Sequence, residues 1–144
     1  MIVSIVICTY NRAPFLRLAL ESLEAQAAPP DAFEVIVVNN NSSDDTVEVV
    51  RPFCERNANF RLVFEANPGV SHARNRGYKE ATGEYVAYLD DDAKASPKWV
   101  EEMLSFIQRH PEVQALGGPY FRFSSVPIPD WLPPEFGTRE FGDV

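Results

Sequence analysis

Short apolar runs alternate along the chain with longer stretches in which apolar residues recur every three or four positions. The runs are rich in Val, Ile, Phe and Tyr and predict β-strands over residues 2–8, 34–38, 60–65 and 84–89. The first two runs lack polar alternation, which is typical of strands buried on both faces of a parallel sheet. Residues 113–118 predict a fifth strand or its start.

The stretches between the runs carry helical spacing and helix-start residues. Helices are predicted to begin near Pro14, within residues 42–46, and near Ser71 and Pro97. Pro52 lies inside the second of these stretches, where it is expected to kink or shorten the helix. The third helix is predicted to run from Ser71, as its N-cap, to about Thr82, before Gly83.

This order of elements predicts an α/β fold, with a Rossmann-like, mostly parallel sheet flanked by helices in a single domain. The predicted core covers residues 1–118. Residues 119–144 differ, because they hold five prolines and six aromatic residues without a period. We interpret them as an arm that needs a partner surface and leads to a further region missing from this chain.

The composition narrows the function classes. The 144 residues carry a formal net charge of −8, which argues against a nucleic-acid partner, since such binding relies on Lys and Arg. The uncharged stretch 1–11 is too short to span a bilayer and lacks the basic start of a signal peptide. Cys8 and Cys54 have no zinc-site spacing and are expected to be free thiols, so we expect a cytoplasmic protein.

Polar residues follow each apolar run at the point where a predicted strand ends. These strand ends are residues 9–12, 39–41, 67–69 and 90–92. Ligands of open α/β sheets bind beyond the carboxyl ends of the strands. We therefore expect the four segments to share one pocket, although a chain of polar loops would show the same pattern.

Three adjacent carboxylates, Asp90, Asp91 and Asp92, form the sharpest chemical signal. If the strand stays extended, Asp90 and Asp92 point the same way, about 6.6 Å apart, and repel by about 2.5 kcal/mol at an effective dielectric of ~20. A divalent cation would reverse that term. We assign Asp92 as the direct metal ligand and expect Asp90 to orient sugar, ribose or metal-bound water. The alternative is a solvated acidic turn before a helix.

Cationic groups complement the acids. Gly69 and Ser71 lie at a predicted helix start, where free backbone N–H groups attract anions. Arg74 follows within about one turn and offers a forked donor to a diphosphate.

The motifs VSIVICTYNR, EVIVVNNNSSDDT, NPGVSHARNRGYKEATGEYVAYLDDD and SPKWVEEML resemble, in order and spacing, those of the family 2 glycosyltransferases. The resemblance covers about residues 2–118. It implies the GT-A fold, an inverting transfer of sugar from a nucleotide-diphosphate donor, and Mg²⁺ or Mn²⁺ held by an Asp-x-Asp motif. It also implies a role in polysaccharide biosynthesis, with a glycan or a lipid-linked sugar as acceptor.

The resemblance also assigns roles by position. Thr9 and Tyr10 would border the base, Arg74 would lie near the diphosphate, and Asp90 and Asp92 would contact ribose and metal. The candidate donor-binding residues are Thr9, Tyr10, Asn11, Asn39, Asn41, Gly69, Arg74, Asp90 and Asp91, and the candidate metal ligands are Asp92 and Asp90.

Two departures from the family pattern stand out. Asn39 replaces the usual Asp that contacts base or ribose, so thymidine and guanosine donors stay open beside uridine. No Glu-Asp dipeptide occurs to supply the general base, which contributes roughly 10²–10⁴-fold. The acids of the arm belong to no motif that would identify a catalytic residue: they are Asp130, Glu135, Glu140 and Asp143.

We therefore expect a donor-binding fragment of a longer glycosyltransferase, which binds donor better than it turns it over. The main alternative is a non-catalytic nucleotide-sugar-binding module or inactive homologue. Receiver domains and haloacid-dehalogenase-type phosphatases place carboxylates after their first strand, where this chain has residues 8–11, Cys-Thr-Tyr-Asn. Peripheral membrane association and a homodimer both stay open.

Overall fold

A computed structural model of the protein describes residues 2–121, 127 and 129–133. Four strands alternate with four helices. In chain order they are β1 (Val3–Thr9), α1 (Ala13–Glu24), β2 (Phe33–Asn39), α2 (Thr46–Arg56), β3 (Phe60–Phe64), α3 (Val70–Glu80), β4 (Tyr85–Tyr88) and α4 (Trp99–Arg109). The predicted α/β alternation is confirmed, with strand ends displaced by at most one residue.

The strands form one sheet in the order β3-β2-β1-β4, and every pair is parallel. The two central strands, β1 and β2, are almost wholly buried, as their unbroken apolar runs predicted. β4 lies at the edge of the sheet in the part of the chain that the structure describes, and its residues are half-buried to exposed. The acidic triple therefore follows an edge strand rather than a buried one.

Helices cover both faces of the sheet. α1, α2 and α4 pack their apolar residues on one face, around Ile5, Val35 and Leu20. α3 covers the other face, where Ala73 packs on Val6 and Val38. A β-carbon added to Gly77 would overlap Val6 Cγ1, so α3 lies unusually close to β1.

Two local predictions were wrong, and the expected shortening of α2 at Pro52 is not seen. Residues 113–118 form no strand, and the chain after α4 is irregular there. The third helix starts at Val70 with Gly69 as N-cap, and it ends at Glu80. α2 continues through Pro52 to Arg56, because a proline mid-helix removes one backbone hydrogen bond while packing of Val49, Val50 and Phe53 retains the helix.

The chain divides into two compact units, Met1–Arg109 and His110–Val144. The first contains all the strands and helices named above. Its two thiols, Cys8 and Cys54, are free and half-buried, as predicted. None of the described helices is long and apolar enough to cross a membrane. Of the arm's acids, Glu135, Glu140 and Asp143 lie outside the described residues.

Candidate functional site

The strand order reverses direction beside β1. The chain first builds β2 and β3 on one side of β1, then α3 crosses the opposite face and β4 pairs on the other side of β1. In open parallel sheets such a reversal opens a crevice at the carboxyl ends of the strands, and ligands bind there. The ends of β1 and β4 are therefore the expected position of a binding site.

Two adjoining pockets open at this position. The charged pocket, of about 270 Å³, is lined by Val6, Cys8, Arg12, Val70, Arg74, Tyr88, Leu89, Asp90, Asp91 and Asp92. The asparagine pocket, of about 410 Å³, is lined by Cys8, Thr9, Tyr10, Asn40, Asn41, Pro68, Gly69, Val70 and Ala73. Cys8 and Val70 border both, so the two pockets form one continuous groove.

The acidic triple forms a turn instead of continuing β4. The strand ends at Tyr88, and the Ala93 N–H donates to the Asp90 carbonyl oxygen at 3.0 Å. The expectation that Asp90 and Asp92 project side by side from an extended strand was therefore wrong. The turn gives each of the three carboxylates a different environment.

Two arginines from separate helices supply counter-charge to the triple. Arg12 Nη1 donates to Asp92 Oδ2 at 2.6 Å and lies 3.8 Å from Asp91 Oδ1. Arg74 Nη2 lies 3.8 Å from Asp90 Oδ1, and Arg74 also lines the charged pocket. Both guanidinium groups are about half exposed, so they are available to an anionic ligand.

Asp91 is the buried member of the triple. Within the described part of the chain, its carboxylate accepts one hydrogen bond, from the Thr9 hydroxyl at 2.8 Å. Burial raises the pKa of Asp91, and the neighbouring Asp92 and Asp90 add to the shift, against the opposing effects of Thr9 and Arg12. Thr9 is also buried, so the hydrogen bond between Thr9 and Asp91 is shielded from solvent.

Arg74 is held over an aromatic ring. Its guanidinium carbon lies 5.7 Å from the centre of the Tyr88 ring, and the Tyr88 hydroxyl donates to the Arg74 carbonyl oxygen at 3.3 Å. These contacts limit where the long side chain can go. Arg76, two residues on, pairs with Glu80 and faces away from both pockets.

Two asparagines adopt left-handed backbone conformations at the strand ends. Asn11 has φ of 54° and Asn41 has φ of 69°, a region that Asn tolerates better than most residues. Asn11 Oδ1 accepts the Ser43 N–H at 2.7 Å, so it ties the turn after β1 to the loop after β2. Asn41 and the exposed Tyr10 line the asparagine pocket.

Asn39 is buried at the end of β2, opposite Thr9 in β1. Its Oδ1 accepts the Ser42 N–H at 2.8 Å, and it lines neither pocket directly. Gly69, the N-cap of α3, has φ of 125° and does line the asparagine pocket. The first turn of α3 therefore opens its backbone N–H groups toward the groove.

Cys8 lies between the two pockets but is a weak nucleophile. Burial raises the pKa of its thiol to about 11, opposed by Arg74 and reinforced by Asp91 and Asp90. At neutral pH the group is a neutral thiol, and it acts as a small apolar wall.

The fit of a divalent cation depends on oxygen ligands. Among the described residues, no three His, Cys, Asp or Glu side chains converge as a metal cage. Mg²⁺ ordinarily takes one or two carboxylates and completes its shell with phosphates and water. Asp90 and Asp92 are exposed carboxylates at the charged pocket, so the ligand set fits that mode of binding.

Sequence reasoning missed three residues of the groove: Arg12, Asn40 and Tyr88. Arg12 and Asn40 lie in the strand-end segments that the sequence singled out, but nothing in their spacing distinguished them from their neighbours. The available signal for Arg12 was its charge, since it is the cation in the segment that ends β1. Asn40 and Tyr88 act through contacts that only the fold reveals.

The chain is similar to known glycosyltransferases. Residues 4–139 match the family Glycosyl transferase family 2. An uncharacterized glycosyltransferase of Escherichia coli K12, YibD, is 38% identical over 102 residues, which are 71% of this chain and 29% of YibD.

Two solved structures share the fold. One is S. aureus TarS 1–349 in complex with UDP, with a TM-score of 0.73 and 29% identity over 77% of this chain and 33% of that chain. The other is the Pyrobaculum calidifontis mannosyltransferase PcManGT in complex with GDP-Man and Mn²⁺, with a TM-score of 0.61 and 35% identity over 66% of this chain and 29% of that one.

These matches have two consequences. The chain spans about a third of the length of the relatives it matches. The predicted GT-A architecture is confirmed by the shared fold. The chain therefore belongs to Glycosyl transferase family 2.

Proposed function

We propose that this chain is the donor-binding part of a glycosyltransferase, which moves a sugar from a nucleoside-diphosphate sugar to an acceptor hydroxyl with inversion. The observation that carries the proposal is the charged pocket at the strand-order reversal, where two half-exposed arginines face exposed carboxylates. Bound UDP in TarS and bound GDP-Man with Mn²⁺ in PcManGT support the same ligand class.

The groove accommodates the two ends of such a donor. The asparagine pocket, with the exposed Tyr10 ring on its wall, suits a base and ribose. The charged pocket suits the diphosphate, because Arg12 and Arg74 both line it and the start of α3 adds backbone N–H donors. On departure, the diphosphate gains negative charge, and these donors stabilise it.

Asp92 and Asp90 would hold Mg²⁺ or Mn²⁺ in this proposal. The cation would neutralise charge on the leaving diphosphate. Arg12 donates to Asp92 Oδ2 at 2.6 Å, and the second carboxylate oxygen would be the one offered to the cation. The other N–H groups of Arg12 would face the phosphates. Asp91 stays buried behind the turn and holds it in place through Thr9.

The acceptor hydroxyl must lose a proton during transfer, and we propose that its base comes from an acceptor-side segment of a longer protein. The sequence contains no Glu-Asp dipeptide, and Asp130 in the second unit is an isolated exposed acid. The second candidate function is a nucleotide-sugar-binding module without transfer activity.

Calorimetry with UDP and with GDP, each with and without Mn²⁺, tests the proposal. We expect binding that strengthens with Mn²⁺, and an Asp92→Asn variant that loses most of the metal-dependent part. Asp31→Asn is the matched control, since Asp31 is an exposed aspartate before β2, at the opposite end of the sheet. Binding of neither nucleotide would refute the proposal. Donor binding without transfer by the full-length protein would select the second candidate.

A further inference from the structure

Asn40 connects three elements that meet at the groove. It follows β2 and is buried, with 6% of its surface exposed. Its Nδ2 donates to the carbonyl oxygens of Glu65 at 3.0 Å and Asn67 at 2.7 Å, and its Oδ1 accepts the Gly69 N–H at 2.8 Å. Its own backbone N–H donates to the Thr9 carbonyl oxygen at 3.0 Å, which anchors it to the end of β1.

These bonds grip the irregular segment between β3 and α3. Residues 65–69 form no strand or helix, and the segment ends at Gly69, whose φ of 125° is accessible mainly to glycine. A short segment with glycine and no regular hydrogen bonding has many alternative conformations. The three side-chain bonds from Asn40 act beside two bonds that Asn67 donates to Glu65 Oε1. The bonds from Asn40 are the ones that connect the segment, and thereby the start of α3, to the end of β2.

The position of that helix start determines the shape of the groove. Gly69 and Val70 form part of the wall of the asparagine pocket, and Val70 also borders the charged pocket. Arg74 lies on the second turn of α3 and reaches the charged pocket from there. A displacement of the start of α3 would therefore move a wall and a charge together.

We infer that Asn40 is a positioning residue for donor binding, which clamps the segment before α3 so that Gly69, Val70 and Arg74 face the ligand; this inference rests on the proposed function. Only a carboxamide supplies two N–H donors and one acceptor from a single planar group of this size. An aspartate has no donors for the two carbonyls, and a serine can satisfy at most part of the set. Asn39 and Asn41, its neighbours, make none of these contacts.

The test combines nucleotide affinity with local hydrogen exchange. In Asn40→Ala we expect the Kd for UDP or GDP with Mn²⁺ to rise at least about tenfold, and exchange at residues 65–73 to accelerate more than elsewhere. Asn40→Ser provides a milder change should the alanine variant fold poorly, and we expect a smaller rise in Kd with exchange altered in the same segment.

Asn57→Ala is the control. Asn57 Nδ2 donates to Glu24 Oε1 and to the Phe53 carbonyl oxygen, far from the groove at the end of α2, so its loss should lower the melting temperature without changing the Kd. A Kd within twofold of the wild type in both Asn40 variants would overturn the inference, as would unchanged exchange at residues 65–73. A wild-type chain that binds neither nucleotide would instead refute the proposed function, and the exchange result would still judge the clamp.

Discussion

Two buried carboxylates, at opposite ends of the same sheet, have opposite electrostatics. Glu34 opens β2 at the amino edge, and Asp91 follows β4 at the carboxyl edge. The Glu34 carboxylate accepts hydrogen bonds from Ser4 Oγ (2.6 Å), the Thr82 N–H (2.8 Å), the Thr82 hydroxyl (2.7 Å) and Arg61 Nε (3.1 Å). Burial alone would raise the pKa of Glu34, but these donors outweigh it and the pKa is lowered.

Asp91 is buried with far fewer donors, and its pKa is raised. The opposite pKa shifts of Glu34 and Asp91 reflect how many hydrogen bonds each buried carboxylate accepts. At the amino edge a charged group is fully satisfied by the chain and contributes to stability. At the carboxyl edge the Asp91 carboxylate accepts few hydrogen bonds from the chain. We therefore expect the amino end of the sheet to contribute mainly to stability and the carboxyl end mainly to the proposed nucleotide binding.

The largest effect is expected at the amino edge. Glu34→Ala removes the acceptor for Ser4, Thr82 and Arg61, and leaves the Arg61 guanidinium with less compensation. We expect a loss of about 3–4 kcal/mol in the free energy of unfolding, with an unchanged nucleotide Kd below the melting transition. Urea unfolding and calorimetry measure the two. Glu84→Ala, at an exposed acid just before β4, is the control, and a changed Kd in folded Glu34→Ala would break the comparison.

A substitution at the carboxyl edge should do the reverse. Arg74→Met keeps the long stem over Tyr88 but removes the charge, so we expect nucleotide binding to weaken by about 2 kcal/mol, or roughly 30-fold. The free energy of unfolding should change by less than about 1 kcal/mol, because exposed ion pairs contribute little. Calorimetry and urea unfolding provide the measurements.

Arg56 is the matched control for that prediction. It is half exposed, lies 4.9 Å from the centre of the Phe53 ring and pairs with Glu24, as Arg74 does with Tyr88 and Asp90. Arg56→Met should leave the nucleotide Kd unchanged. If the two variants weakened binding equally, charge in general rather than the position of Arg74 would be responsible.

Unfolding at acid pH should reveal how much Glu34 contributes to the stability of the fold. Its folded-state pKa is lowered from the ordinary value of 4.5, so the unfolded chain binds its proton first as pH falls. The stability that Glu34 contributes is complete above about pH 4.5 and is lost as pH falls through the lower, folded-state pKa. We expect Glu34→Gln to lose less stability than the wild type as pH falls, measured by urea unfolding between pH 6 and pH 3. Parallel pH profiles would contradict this.

The smallest effect is a gain. The raised pKa of Asp91 means that its charged form disfavours the folded state, and this cost grows as pH rises through the folded-state pKa. Asp91→Asn keeps an acceptor for Thr9, and we expect it to raise the free energy of unfolding at pH 7 by up to about 1 kcal/mol. A destabilised Asp91→Asn would show that Arg12 stabilises the charged form more than burial opposes it.

The sequence predicted the core of the fold because each central element carries its own signal. β1 and β2 are unbroken apolar runs, and α1 carries apolar residues at helical spacing, as in Leu16, Leu20 and Leu23. The run 113–118 carries a weaker version of the strand signal, yet it forms no strand. Strand pairing depends on a neighbour at the sheet edge, and a single run contains no information about that neighbour.

The candidate site, like the fold, could be predicted from the sequence only in part. The polar strand ends and the acidic triple were visible in the sequence, because the carboxyl ends of parallel strands must meet. The turn at residues 90–93 was not, since apolar Tyr88 and Leu89 gave no sign of where β4 stops. The pairing of Arg12 with Asp92, 80 positions apart, depends on how α1 and β4 lie around β1, and no spacing along the chain encodes it.

The shape of the groove depends on the packing of Gly77 against the sheet, at a position that lines neither pocket. Because Gly77 has no side chain, α3 packs closely on Val6. Arg74 lies about one turn closer to the N-terminus of the same helix. A methyl group at residue 77 would overlap Val6 and push α3 away from the sheet. Arg74 would then move away from Asp90. The position of the exposed Arg74 charge thus depends on how closely α3 packs on β1 at Gly77.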